Sequence, residues 1–211
     1  MLMRGFTLIE VLVTLVILMF GLLGIAGLMA KGQRASFEAF QRQQALSLAN
    51  DMAERQRANR TQATVYRDGA RAGSPLGLNA KHSLLGNSII DCGRPATPCT
   101  PTDLAAYDLA QWDGLLFGYT ETANTTRVGG IANALGCVEE IANTIAVCPP
   151  APAPAAIPYT RTNRISVAWQ GHDDTGVLAA APSTCGSGRY GASDGWRRIV
   201  ALDVLLEVQC P

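Results

Sequence analysis

Imidazole is nearly absent from this chain: its 211 residues include two histidines, His82 and His172. That leaves few ligands for a histidine-based metal centre and few candidates for a catalytic base. Charge bias is missing as well, since 17 basic and 17 acidic residues sum to zero and are interspersed. The balance gives no electrostatic argument for nucleic acid or an anionic surface as the main partner. No C-x-x-C pair occurs, which removes the usual dithiol redox motif, and Cys92 and Cys99 stand too far apart for a zinc knuckle. No phosphate-binding loop is present.

Two short motifs look chemical until their context is read. Gly191-Ala192-Ser193-Asp194-Gly195 matches G-x-S-x-G, but no histidine follows Ser193 and a strand pattern, not a helix, comes next. A nucleophile elbow needs both, so this stretch reads as a glycine-rich turn. His172 beside Asp173 and Asp174 reads as a solvated turn more readily than as a metal site. Arg189, Arg197 and Arg198 read as a strand-edge charge cluster that discourages sheet-to-sheet pairing. No catalytic residue, cofactor or metal ligand is expected.

What the chain does have is a charge-free run of twenty residues, Val11 to Ala30. As a helix it spans about 30 Å, the thickness of a bilayer's hydrocarbon core. Glu10 stands at the edge of that run, five residues past Gly5. A carboxylate there gains a plain membrane anchor nothing, and by insertion scales costs up to about 3 kcal/mol at the centre and less near an end. It calls for a partner. A cleaved secretory signal fits poorly, because Arg4 is the leader's one charge and the run exceeds the usual apolar region.

Gly5-Phe6-Thr7-Leu8-Ile9-Glu10-Val11-Leu12-Val13 resembles the processing site of type IV pilins and type II secretion pseudopilins. The resemblance implies that a prepilin peptidase cuts between Gly5 and Phe6 and methylates Phe6. Glu10 then becomes the fifth mature residue and pairs with the N-terminal amine of a neighbouring subunit. Implied partners are other pilin or minor pilin subunits, met through the N-terminal helix. The implied location is the inner membrane of a Gram-negative bacterium, with one span and a periplasmic domain, and then a pilus filament or tip.

Six cysteines, Cys92, Cys99, Cys137, Cys148, Cys185 and Cys210, all follow the apolar run. An even count on one side of a membrane favours disulfides in an oxidising compartment. Arg4 holds the leader cytoplasmic by the positive-inside tendency, which agrees. Among the fifteen connectivities open to six cysteines, the sequential one is expected: Cys92–Cys99, Cys137–Cys148 and Cys185–Cys210.

The expected organisation is a leader at 1–5, a long helix at 6–59 with its apolar half at 6–30, and a globular domain at 60–211. From Gln33 to Asn59 no Pro or Gly interrupts the helix, and Phe37, Phe40, Gln44, Ala45, Leu48 and Met52 recur at helical steps as a core face. Gly21, Gly24 and Gly27 weaken the first half by about 1 kcal/mol each relative to Ala, or allow close helix approach.

Residues 61–100 are rich in Gly and Pro and read as a loop, with Ser88-Ile89-Ile90 as its strand fragment. Thr100-Pro101-Thr102-Asp103 opens a second helix with Ala105, Leu109, Trp112 and Leu116 on one face. Val138 to Val147 suits a hairpin, and Pro149 to Pro154 an exposed loop. Ile165, Val167 and Trp169 alternate as a strand, as do Val200, Leu202, Val204, Leu206 and Val208.

The sum is an α+β, pilin-like arrangement: a long N-terminal helix on an antiparallel sheet, with a disulfide-stabilised C-terminal region. Over the whole chain the pattern most resembles PilV-type pilus modification subunits. The Cys92–Cys99 loop, the run from Asp103 to Trp112, the Trp169 strand and the Arg197-Arg198 strand carry it. The resemblance implies a minor pilin that primes or modifies a pilus. A type II secretion pseudopilin, a tip adhesin and a DNA-binding subunit are the alternatives.

Overall fold

The computed structural model describes Gly5 and residues 7–94, 98–119, 122–123, 126–127, 130–144, 158–176 and 181–209. By internal contacts the chain divides into two compact units, Met1–Phe40 and Gln41–Pro211. Helix α1, Leu8–Ala58, begins in the first and ends in the second. In the first unit no described residue is buried.

The second unit is built on a three-stranded antiparallel sheet in the order β3-β4-β5, from β3 (Leu135–Asn143), β4 (Pro158–Gln170) and β5 (Arg197–Gln209). Two-residue strands β1 (Thr122–Ala123) and β2 (Thr126–Arg127) pair with each other apart from it. The β4–β5 register is unbroken from Pro158↔Gln209 to Gln170↔Arg197. The β3–β4 register shifts between Glu140 and Ala142, as a bulge does. The period-two patterns account for these strands: Val138, Ile165, Val167, Trp169, Val200, Val204, Leu206 and Val208 all lie in one buried cluster.

Three helices supply most of the rest: α1 through Ala45, Ala49, Met52 and Ala53, α2 (Ala63–Gly69) through Ala63 and Tyr66, and α3 (Pro101–Phe117) through Ala105, Leu109, Trp112 and Leu116, while Ala70, Leu76, Ile131 and Ala134 come from connecting segments. The expected start of α3 holds in detail. Thr100 and Asp103 form a reciprocal capping box with Pro101 in the first turn, and Gly118 closes the helix in the left-handed region at φ 72°. The Trp112 indole donates to the Leu48 carbonyl at 2.9 Å, joining α3 to α1. Gly136 on β3 leaves room for the Trp112 ring, since a Cβ there would come within 2.4 Å of it.

Several expectations are corrected. The buried stripe on α1 begins at Gln41, not at Phe37, because Phe37 and Phe40 are 56% and 54% exposed. Phe40 stands roughly 140° round the axis from Ala45, five residues on at about 100° per residue, whereas Phe37 lies only about 40° from Gln41 and is exposed because it falls one turn before the first buried position. Segment 61–100 is not all loop, because α2 forms inside it and places Tyr66 in the core. Ser88-Ile89-Ile90 yields no strand, only a single bridge between Leu85 and Ile89.

The disulfide pattern differs from the sequential one. Cys92–Cys99 forms as expected, but Cys137 pairs with Cys185. Along β3 alternate side chains point to opposite faces, so Val138 enters the core while Cys137 stands on the other side of the sheet. The β4–β5 connection carries Cys185 and Tyr190 onto that outer side, where Leu135, Ala168 and Tyr190 form a second small cluster. β3 runs on to Asn143 with β4 as its partner, so the expected 137–148 hairpin is absent. Cys148, Cys210 and the expected loop at Pro149 to Pro154 lie outside the described residues.

Candidate functional site

The candidate site is the start of the chain. Gly5 is described and exposed, while Phe6 lies outside the described residues. Glu10 falls in the first turn of α1, where a negative charge faces the positive end of the helix dipole. Around it the helix is apolar on every side, with Leu8, Leu12, Phe20, Leu23 and Leu28 each more than half exposed. Such a helix is at home only in lipid or among other helices. By length and composition α1 is the one described helix able to cross a membrane. The chemical content of the site is one carboxylate at the edge of an otherwise apolar cylinder.

The arginine-rich and glycine-rich motifs prove to be scaffolding. Arg197 is buried and donates to the carbonyls of Ser183 and Cys185 at 3.2 and 3.1 Å. Arg198 donates to the carbonyls of Asp173 and Gly195 and to the Thr175 hydroxyl. The pair therefore pins the β4–β5 connection, and only Arg189 of the expected edge cluster is exposed. In the G-x-S-x-G stretch the working side chain is Asp194, not Ser193. Its carboxylate accepts from the Gly188 and Tyr190 amides and the Ser187 hydroxyl. Burial pushes the Asp194 pKa up, but those bonds and nearby Arg197 outweigh it and hold the group below the usual carboxylate value. Asp174 accepts from the Gly176 amide, as in an ordinary Asx turn. Among the described residues no three potential ligands gather as for a metal.

Two buried acids were not singled out from the sequence. Asp108 ties three helices together: Arg55 of α1 donates to it at 2.8 Å, and the Tyr66 hydroxyl of α2 at 2.5 Å. Burial, followed by bonding to Asp108, raises the Tyr66 pKa well above the usual phenol value. Asp113, fully buried, accepts four backbone N–H groups, from Gly77, Leu78, Lys81 and His82. It organises the segment between α2 and α3. The one signal in the sequence is that both acids sit among the apolar residues of α3, away from its capped first turn.

A family model described as the type IV pilin Tt1218 matches residues 28–110, the stretch from mid-α1 through most of α3. The model of the prokaryotic N-terminal methylation motif matches residues 2–26, which include Gly5, Phe6 and Glu10. No curated protein and no solved structure matches the chain.

Proposed function

From the premise that this chain is a type IV pilin-like protein, we propose that it is a minor pilin that helps prime or modify a type IV pilus. The observation that carries the proposal is Glu10, a carboxylate in the first turn of an exposed, all-round apolar helix inside a methylation motif. A structural subunit, not an enzyme, is what the family implies. Assembly with other pilin subunits follows from the same family.

The proposed sequence of events begins with insertion of α1 into the inner membrane, the globular part facing the periplasm. The organisation that goes with it is a leader at 1–5, a helix at 6–59 and a globular domain from 60 onward. A prepilin peptidase cuts after Gly5 and methylates Phe6, and the methylated amine keeps its positive charge. In lipid a carboxylate near the helix start is tolerated at modest cost. In a helical bundle the same group would be desolvated, and only a matched cation repays that. The amine of a neighbouring subunit is a cation at the right end of the helix, so Glu10 sets register as the apolar surfaces pack.

Sequencing and mass measurement of the mature N-terminus test the processing step, with methylated Phe6 as the expected first residue. A chain that begins elsewhere removes the foundation of this reading. Glu10→Ala is expected to leave cleavage intact and to block incorporation into filaments; normal incorporation would count against the pairing. A type II secretion pseudopilin uses the same chemistry, and secretion genes beside this one would favour it over a pilus subunit.

A further inference from the structure

The two edges of the three-stranded sheet are finished differently. On β3 the outward groups are taken: Gly136 exchanges two backbone bonds with Leu76, each 2.9 Å, and the Val138 amide donates to the Ala70 carbonyl at 2.6 Å. The chain that follows α2 thus covers that edge. β5 has β4 on one side and no strand on the other. Two bonds on β4 fix which of its groups face out. Thr160 accepts from the Thr144 amide and Gln170 donates to the Ala132 carbonyl, so the even-numbered residues of β4 face β3. The unbroken register then turns its odd-numbered residues, from Arg161 to Trp169, onto Leu206 to Arg198 of β5. The N–H and C=O groups of Ile199, Ala201, Asp203, Leu205 and Glu207 therefore point away from the sheet. Among the described residues none of these groups has a backbone partner.

Long open edges are normally blunted by Lys, Pro or a bulge. β5 runs for 13 residues without Lys or Pro, and its register has no bulge. Its two arginines, which the sequence offered as edge protection, are turned onto the β4–β5 connection instead. Past them the charges on β5 are Asp203 and Glu207, both exposed, on either side of Leu205, which is 59% exposed. We propose that the β5 edge accepts an extended basic segment of another polypeptide, which pairs its backbone with residues 199–207 and adds a strand to the sheet. Charge selects the occupant. Lys or Arg placed opposite Asp203 and Glu207 makes favourable cross-strand pairs. A second copy paired edge to edge around Leu205 sets Asp203 against Glu207 twice, and one paired around Asp203 sets that acid against itself; both contacts are repulsive. The site lies wholly on the second unit, so it stands whichever assembly α1 enters.

The test uses the full chain in detergent, with hydrogen exchange read amide by amide. One probe is a nine-residue peptide of alternating Thr and Val with Lys at its third and seventh positions. The others are the same peptide with Glu there, and the Lys peptide N-methylated at both Lys amides. In the protein alone, the amides of residues 199, 201, 203, 205 and 207 should exchange at least a hundredfold faster than their even-numbered neighbours. The Lys peptide should slow those five by tenfold or more, the Glu peptide should bind at least tenfold more weakly, and N-methylation should abolish the effect. Leu205→Pro removes one outward N–H and no bond to β4, so it should abolish the slowing while the even-numbered amides stay protected. Glu207→Lys leaves the edge intact and should narrow the difference between the Lys and Glu peptides. Slow exchange of the five amides in the protein alone, at every concentration, would mean that the chain covers its own edge, and would overturn the proposal. Protection that grows with protein concentration would assign the edge to a second copy instead. Equal effects of the Lys and Glu peptides, no slowing by either, or protection confined to residues outside 199–207 would also overturn it.

Discussion

Asp113→Asn is the substitution that best tests how the second unit holds together. The side chain is 0% exposed on α3, and each carboxylate oxygen serves two amides. One oxygen accepts from Gly77 and Leu78 at 2.6 and 3.2 Å, the other from Lys81 and His82 at 2.8 and 3.1 Å. These bonds fix a loop that has no ladder of its own, and Gly77 in it adopts a φ of 105° with its Cα against the Ala134 carbonyl. Asparagine keeps the shape but turns one acceptor into a donor, so two amides lose their bonds and face a like dipole. At roughly 1.5–3 kcal/mol for each hydrogen bond to a charged group, the loss comes to about 3–6 kcal/mol. That is a large part of a total stability of about 5–15 kcal/mol. A unit of this size loses about 2–4 °C in Tm per kcal/mol, so a fall of about 6–24 °C is expected. Thermal unfolding of the full chain in detergent measures it, and hydrogen exchange should show the 77–82 amides exposed first. Asp103→Asn, at the solvent-exposed capping box, is the control and should lower Tm far less. A Tm for Asp113→Asn within 2 °C of wild type, or 77–82 amides still protected, would refute the reasoning.

Other outcomes follow from the same structure. Peptide mapping without reduction should recover Cys92–Cys99 and Cys137–Cys185, and finding Cys137 joined to Cys148 would reject the outer-face clamp. Closing a loop of 48 residues contributes about 4 kcal/mol in the chain-entropy model, so Cys137→Ser/Cys185→Ser should destabilise more than loss of the seven-residue Cys92–Cys99 link. Gly136→Ala drives a methyl into the Trp112 ring and should cost about 1–3 kcal/mol; an unchanged Tm would mean the ring has room. The bidentate Arg164 bond holds the Asp203 carboxyl below its ordinary 3.8. Its folded pKa is depressed, so its contribution is complete above about pH 4 and disappears as pH falls through the folded value. Asp203→Asn should therefore flatten the acid limb of stability against pH by no more than about 1 kcal/mol, because the pair is largely exposed. An acid limb steeper than wild type would contradict the sign.

Local causes account for the parts of this protein that could be read residue by residue. A charge-free run, an acid at its edge, a capping box at Thr100 and alternating strands each depend on neighbours a few residues away. All were readable because helix and strand periods are fixed by backbone geometry. Tertiary structure alone decided the rest. Cys137 met Cys185 because strand alternation turned it outward and a long connection folded over that face. Phe37 and Phe40 were left out of the core because both the extent and the phase of a buried stripe are set by what packs on it, not by its spacing. Asp108 and Asp113 gained their roles from amides and side chains about 30–50 residues away, a distance over which no local pattern carries information.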